Sequence, residues 1–201
     1  MIYPEAKILL FAKAPNPGTV KTRLIADIGE HAATELHKEL VLNALNTLTE
    51  AALSPVELWC APDTEHPFFI ECQKQFAITL RQQQGEGLGE RMHYALSQHR
   101  GAPTLLIGSD IPLLNRNYLH QGLRALLQGQ SWVIGPAEDG GYVLIGCYES
   151  DERLFDGVAW GGSQVLAQTM KNAAHCGVAP LLLETLWDLD NIADLARWRC
   201  F

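Results

Sequence analysis

Cysteine is scarce and unpatterned in this sequence. Its five residues, Cys60, Cys72, Cys147, Cys176 and Cys200, are odd in number, widely spaced and form no C-x-x-C. That excludes a disulfide framework and a zinc site built on cysteine pairs, and predicts a reduced, cytoplasmic protein. The seven histidines form no H-x-H or H-E-x-x-H pair, which removes the usual histidine metal motifs. Basic charge is in deficit: 15 Lys and Arg stand against 23 Asp and Glu, a formal net charge of −8. Broad nucleic-acid binding needs a basic surface, so no nucleic-acid partner is expected. No apolar run approaches the length of a membrane span, and the N-terminus lacks the basic region and long apolar core of a signal peptide. The serine elbow G-x-S-x-G is missing as well. Gly108-Ser109-Asp110 has no glycine two residues after its serine, which argues against a serine hydrolase.

What is present is an alternation of strand-like and helix-like segments. Apolar runs at 7–11, 56–60, 78–80, 103–108, 132–135, 142–146 and 181–183 read as strands. Between them, Ala33, Leu36, Leu40, Ala44, Leu48 and Ala51 share one helical face over 30–52. Further helices are predicted over 68–76, 88–99, 115 or 117 to 128, 163–175 and from about 190 to 199. Ser163 reads as the cap of its helix. The all-apolar run 103–108 suits a central strand covered on both faces. The pattern predicts one domain over 1–201, a three-layer α/β/α architecture with a mostly parallel mixed sheet. Strands 132–135 and 142–146 are too close for a helical crossover, so at least one antiparallel connection is expected.

Candidate chemistry clusters where strands end. The loop Lys13-Ala14-Pro15-Asn16-Pro17-Gly18-Thr19-Val20-Lys21-Thr22-Arg23 follows the first strand, at the edge where open α/β sheets bind ligands. Its three cations suit a polyanion such as nucleotide phosphates. It is not a P-loop, because Val20 and not glycine precedes Lys21, and it holds no G-x-G-x-x-G. Asp110 follows the central strand on a turn set by Pro112, where a carboxylate either holds Mg²⁺ with substrate phosphates or caps the turn. In Trp187-Asp188-Leu189-Asp190-Asn191, strand alternation puts Asp188 and Asp190 on one side, for a metal shared with Asp110. A competing reading makes Asp190 or Asn191 a helix cap. Asp139-Gly140-Gly141 reads as a sharp turn or as a backbone open to a ligand, with Glu138 and Asp139 as candidate bases. Gly87 and Gly89 suit an anion or ribose at a helix start, with Arg91 in reach of a phosphate or simply paired in solvent. Trp160 fits a sugar or base pocket, or a lid on the core. Apolar residues near the C-terminus, such as Trp198, fit either a homodimer contact or the core.

In order along the chain, FAKAPNPGTVKTRL, GEGLGERM, LLIGSDIPLL, GPAEDGGYVLIG and DLDNIADL resemble a bacterial family of glycosyltransferase-like proteins similar to 2-phospho-L-lactate guanylyltransferase. That family includes transferases associated with radical-SAM gene clusters. The resemblance covers nearly the whole chain and implies the nucleotide-diphospho-sugar transferase fold, known as GT-A. It implies that Lys13, Lys21 and Arg23, with Gly18 in their loop, neutralise nucleotide phosphates. Gly87, Gly89 and Arg91 would approach the nucleoside and phosphates. Asp110 and Asp190 would hold Mg²⁺ or Mn²⁺, with Asp188 as the alternative to Asp190. Asp139, Gly140 and Gly141 would face the acceptor. The family often has Trp-Ser-Thr where this chain has Trp160-Gly161-Gly162-Ser163, and Thr where it has Asn191. Both departures fall on the acceptor side.

Two functions are therefore expected to compete. One is a metal-dependent transferase with Asp110 and Asp139 as catalytic residues. It would move a glycosyl or nucleotidyl group from a nucleotide-sugar or nucleoside triphosphate to a small acceptor. The other is a module that binds such a nucleotide without turning it over. The paired carboxylates favour the first.

Overall fold

The structure, a computed structural model, describes residues 1–200. In chain order its elements are β1 (Lys7–Lys13), a 3-10 turn (Thr22–Leu24), α1 (Ile25–Ile28), α2 (Glu30–Ala51), β2 (Val56–Ala61), α3 (Pro67–Gln75) and β3 (Ile78–Gln82). There follow α4 (Leu88–Ser97), β4 (Thr104–Gly108), α5 (Arg116–Leu127), β5 (Trp132–Pro136), β6 (Tyr142–Cys147), α6 (Val165–His175), β7 (Leu181–Leu182) and α7 (Ile192–Trp198). The strands form one sheet in the order β3-β2-β1-β4-β6-β5-β7. Only β6 is reversed, antiparallel to both β4 and β5. The close spacing of β5 and β6 leaves no room for the crossover that a parallel pair needs.

Alternation along the strands builds the three layers. Ile8, Leu10 and Ala12 of β1 face one way and pack with Leu45 and Leu48 of α2, Phe69 of α3 and Leu119 and Leu123 of α5. Leu9 and Phe11 face the other way, with Met92, Ala95 and Leu96 of α4 and Ala173 of α6. β4 does the same through Leu105 and Ile107 on one face and Leu106 on the other. Each such apolar side chain taken fully out of water contributes roughly 1.5–3 kcal/mol, which is why two adjacent strands this apolar occupy the middle of the sheet.

The chain winds outward from β1 to β3, then returns to place β4 on the other side of β1. That reversal opens a crevice at the carboxyl ends of β1 and β4, the position where open α/β sheets take ligands.

The structure corrects some local expectations and chooses between the alternatives of others. Ser163 does not cap α6. The helix starts later, at Val165 after Gln164, with no side-chain cap, because the Ser163 backbone is pressed against Gly140. Asn191, not Asp190, caps α7, and Asp194 closes a capping box. Residues 188–190 belong to no strand, although a bridge joins Ala137 to Leu186 just before them. Trp198 packs on the small core around Leu24, Leu36 and Trp187.

Candidate active site

A long cleft lies over the crevice, in two halves that share Phe11, Leu88 and Gly108. The charged half, about 330 Å³, is lined by Lys13, Thr19, Lys21, Thr22, Arg23, His37, Gln83, Ser109, Asp110 and Asp190 among others. The apolar half, about 230 Å³, is lined by Met92, Leu106, Leu144, Val165 and Trp160, with Asp139, Gly141 and Asp188 as its acidic and turn components.

Lys21 organises the junction. It is buried, and its backbone is left-handed at φ 48°, unusual for a residue with a side chain. That conformation turns the side chain inward. Its ammonium lies 2.7 Å from Asp110 Oδ2 and also donates to the Leu189 carbonyl. The Leu189 N–H donates in turn to the Asp110 carbonyl at 2.8 Å. Three segments far apart in sequence are thus tied together by one cation. Removing Asp110 would leave the buried ammonium with only the Leu189 carbonyl as partner, a destabilising change that solvent at the half-exposed carboxylate side moderates. Leu189 itself is fully buried, so its acidic neighbours on either side keep their partial exposure.

The electrostatics follow from this packing. Burial pushes the Asp110 carboxyl up, but Lys21, His37 and the hydroxyl of Ser109 overcome that and hold it below the usual carboxylate range. Its side chain keeps 39% exposure, all that the cleft leaves open to a ligand. Asp188 goes the other way. Burial first, then Asp139, Asp190 and Asp110, push its pKa up to about 6. His37 donates from Nε2 to the Lys13 carbonyl at 2.9 Å and braces the loop from beneath, and burial lowers its pKa.

The cleft gathers most, not all, of the residues singled out in the sequence. Lys13 and Arg23 stand on the exposed rim of the charged half, with Arg23 paired to Asp190. Gly18 makes the turn of the loop at φ 75°, where a Cβ would press on Glu30. Asp139 lines the apolar half and accepts from the Gly141 N–H at 2.8 Å. Glu138, the other candidate base, is engaged by Arg197 at 2.8 Å. Gly140 faces protein, since a Cβ there would collide with the Ser163 carbonyl. Gly87 and Gly89 line a separate hollow of about 370 Å³, and Arg91 closes its own loop by donating to the Gly85 carbonyl at 2.9 Å. Their neighbour Leu88 reaches the cleft instead.

His37 and Gln83 escaped the sequence reading. His37 is a polar residue on the buried stripe of α2, which was a usable signal. Gln83 donates to the carbonyls of Trp59 and Ala12, which no local pattern announces.

Residues 44–162 match the profile of a family described as an uncharacterized protein conserved in bacteria, DUF2064. The chain belongs to this family. No curated protein matches it. Among solved structures, a Desulfovibrio desulfuricans G20 protein described provisionally as a nucleotide-diphospho-sugar transferase is 33% identical. It aligns over 96% of this chain and 85% of its own, with a TM-score of 0.84. The inositol-1-phosphate CTP transferase of T. maritima shares the fold at 11% identity, covering 98% of this chain and 94% of its own, TM-score 0.64. So does glucosyl-3-phosphoglycerate synthase of Mycobacterium tuberculosis, solved with Mn²⁺ and UDP, at 10% identity, 96% and 74% coverage and TM-score 0.57. The three-layer sheet of this DUF2064 chain is therefore the nucleotide-diphospho-sugar transferase fold.

Proposed function

We propose that this protein is a transferase whose donor, a nucleotide-sugar or nucleoside triphosphate, lies in the charged half of the cleft with its acceptor in the apolar half. The observation that carries this reading is the Lys21 tie. It holds Asp110 ionised beside the 188–190 segment, at the meeting point of a cationic rim and an apolar hollow. Lys13 and Arg23 take the phosphates, and Lys21 orients Asp110.

Mg²⁺ or Mn²⁺ fits this junction. Among the described residues no three acidic, histidine or cysteine groups form a ready-made cage. Magnesium needs none, since it is commonly held by one or two carboxylates plus substrate phosphates and water. Burial is the first cause of the raised Asp188 pKa, and the carboxylates of Asp139, Asp190 and Asp110 add to it, a contribution that a divalent ion would relieve. Asp110 and Asp190 would hold it. When bound, it supplies positive charge to the departing phosphate oxygens.

An acceptor hydroxyl needs a base. Asp139 and Asp188 both line the apolar half. The pKa of about 6 suits Asp188 to a base working near neutral pH. The fold is common to the nucleotidyl and glycosyl branches, and neither the motifs nor the fold chooses between them. Released pyrophosphate identifies nucleotidyl transfer, and released nucleoside diphosphate identifies glycosyl transfer.

The test is thermal unfolding with a panel of nucleoside triphosphates and nucleotide-sugars, with and without Mg²⁺ or Mn²⁺, on wild type and Asp110→Ala. Ligand at about 100 times its Kd adds roughly 2.7 kcal/mol of stability. A metal-dependent upward shift for one donor, lost in the variant, is expected. No shift with any nucleotide would overturn the donor assignment. Binding without product over a broad acceptor panel would leave a nucleotide-binding module.

A further inference from the structure

We propose that the acceptor is an uncharged or cationic hydroxyl compound with an apolar, ring-sized body, carrying neither phosphate nor carboxylate. This deepens the transferase reading above and rests on it.

The two halves of the cleft differ in the sign of what they offer. The charged half is lined by Lys13, Lys21 and Arg23. Among the described residues, no lysine, arginine or histidine lines the apolar half, whose only carboxylates are Asp139 and Asp188. Of the nearby cations, Lys21 is paired to Asp110 and Arg197 to Glu138, while Lys13 and Arg23 stand on the rim of the charged half. An anionic group in this hollow would lose its water and meet two carboxylates with no basic side chain on the wall to offset them, an arrangement that disfavours such a ligand. A neutral hydroxyl can donate to either carboxylate, and an ammonium would be attracted to both.

The walls specify the body. Trp160 is held in place by an edge-on contact with Tyr142, 6.2 Å between centroids at 85°, and by Phe155 at 6.4 Å. Gly89 makes that position available, because a Cβ there would come within 2.9 Å of the Trp160 ring. The glycine at the start of α4 thus shapes the acceptor wall from behind. Trp160, Leu106, Met92 and Leu144 leave a space of about 230 Å³, small for a ligand pocket and suited to a single ring. In the transfer, the acceptor oxygen bonds to the α-phosphorus or the anomeric carbon of the donor. The bond from that atom to the leaving phosphate breaks, and the hydroxyl proton passes to Asp139 or Asp188.

Ligand-observed NMR with benzyl alcohol, benzylamine, benzoate and benzyl phosphate, at about pH 8, tests this on the full chain. Wild type, Trp160→Ala and the double variant Asp139→Asn/Asp188→Asn are compared. The alcohol and the amine are expected to bind at least about ten-fold more tightly than the two anions, a difference of about 1.4 kcal/mol. The double variant should shrink that gap to within about three-fold while retaining the alcohol, since like-charge repulsion is what sets it. Trp160→Ala should weaken all four. Benzoate or benzyl phosphate binding as well as the alcohol, an unchanged gap in the double variant, or no probe binding at all would each overturn the proposal. Nucleotide thermal shifts on the same samples separate the two readings. If nucleotides fail and the alcohol binds, the transferase reading falls and the pocket preference stands.

Discussion

At Asp188, burial and three neighbouring carboxylates raise a group with an ordinary pKa of 3.8 to about 6. Such a carboxyl binds its proton more tightly in the folded chain than in the unfolded one. Its contribution favours the fold below pH 3.8 and is lost as pH rises through 6. Above that window the charge costs roughly 2–3 kcal/mol. Asp188→Asn in metal-free buffer should therefore stabilise the protein by about that amount near pH 7.5 and change little near pH 4. Urea unfolding at the two pH values checks it, and an equal effect at both would refute the electrostatic cause. Lys21 shows what a residue type conceals. A lysine on a glycine- and proline-bearing loop reads as a phosphate ligand, yet its hydrogen-bond partner lies 168 residues away and its ammonium is spent inside the protein.

Among the elements, the segment that leads into α7 is the one whose packing the sequence concealed. Trp187 is buried under the guanidinium of Arg197, 4.5 Å from its ring, and its indole N–H has no partner. Trp187→Phe should cost no more than about 1 kcal/mol, because an unsatisfied donor leaves with the lost area. Trp187→Ala should cost about 3–5 kcal/mol through the cavity it opens beside Leu24 and Leu36. Denaturant midpoints of the two variants distinguish these, and equal losses would mean that the indole N–H is satisfied in solution. Strand and helix positions were largely legible, since their periods of two and 3.6 are local. The start of α6 was not, because the contact of Ser163 with Gly140 displaces it, and that contact is tertiary.

For the whole molecule, the order of the strands predicts where it opens. β1 and β4 are central and covered on both faces, whereas β7 is a short, exposed edge. Amide exchange should be slowest in β1 and β4 and fastest in β7 and α7, whose residues are not buried. Nucleotide with Mg²⁺ should slow exchange in the 14–24 and 186–191 segments together, because Lys21 couples them. Protection of one segment without the other would break that coupling.

Local chemistry in the chain was enough to read an α/β pattern, its apolar central strand, at least one antiparallel connection and a cationic loop at a strand end. Each follows from side-chain period, turn residues or charge within a short window. The tertiary structure alone decided which carboxyl would be lowered and which raised, that Lys21 would face inward, and that Gly89 would lie close against Trp160. Those outcomes depend on burial and on charges brought together from opposite ends of the chain, and neither quantity exists until the sheet has formed.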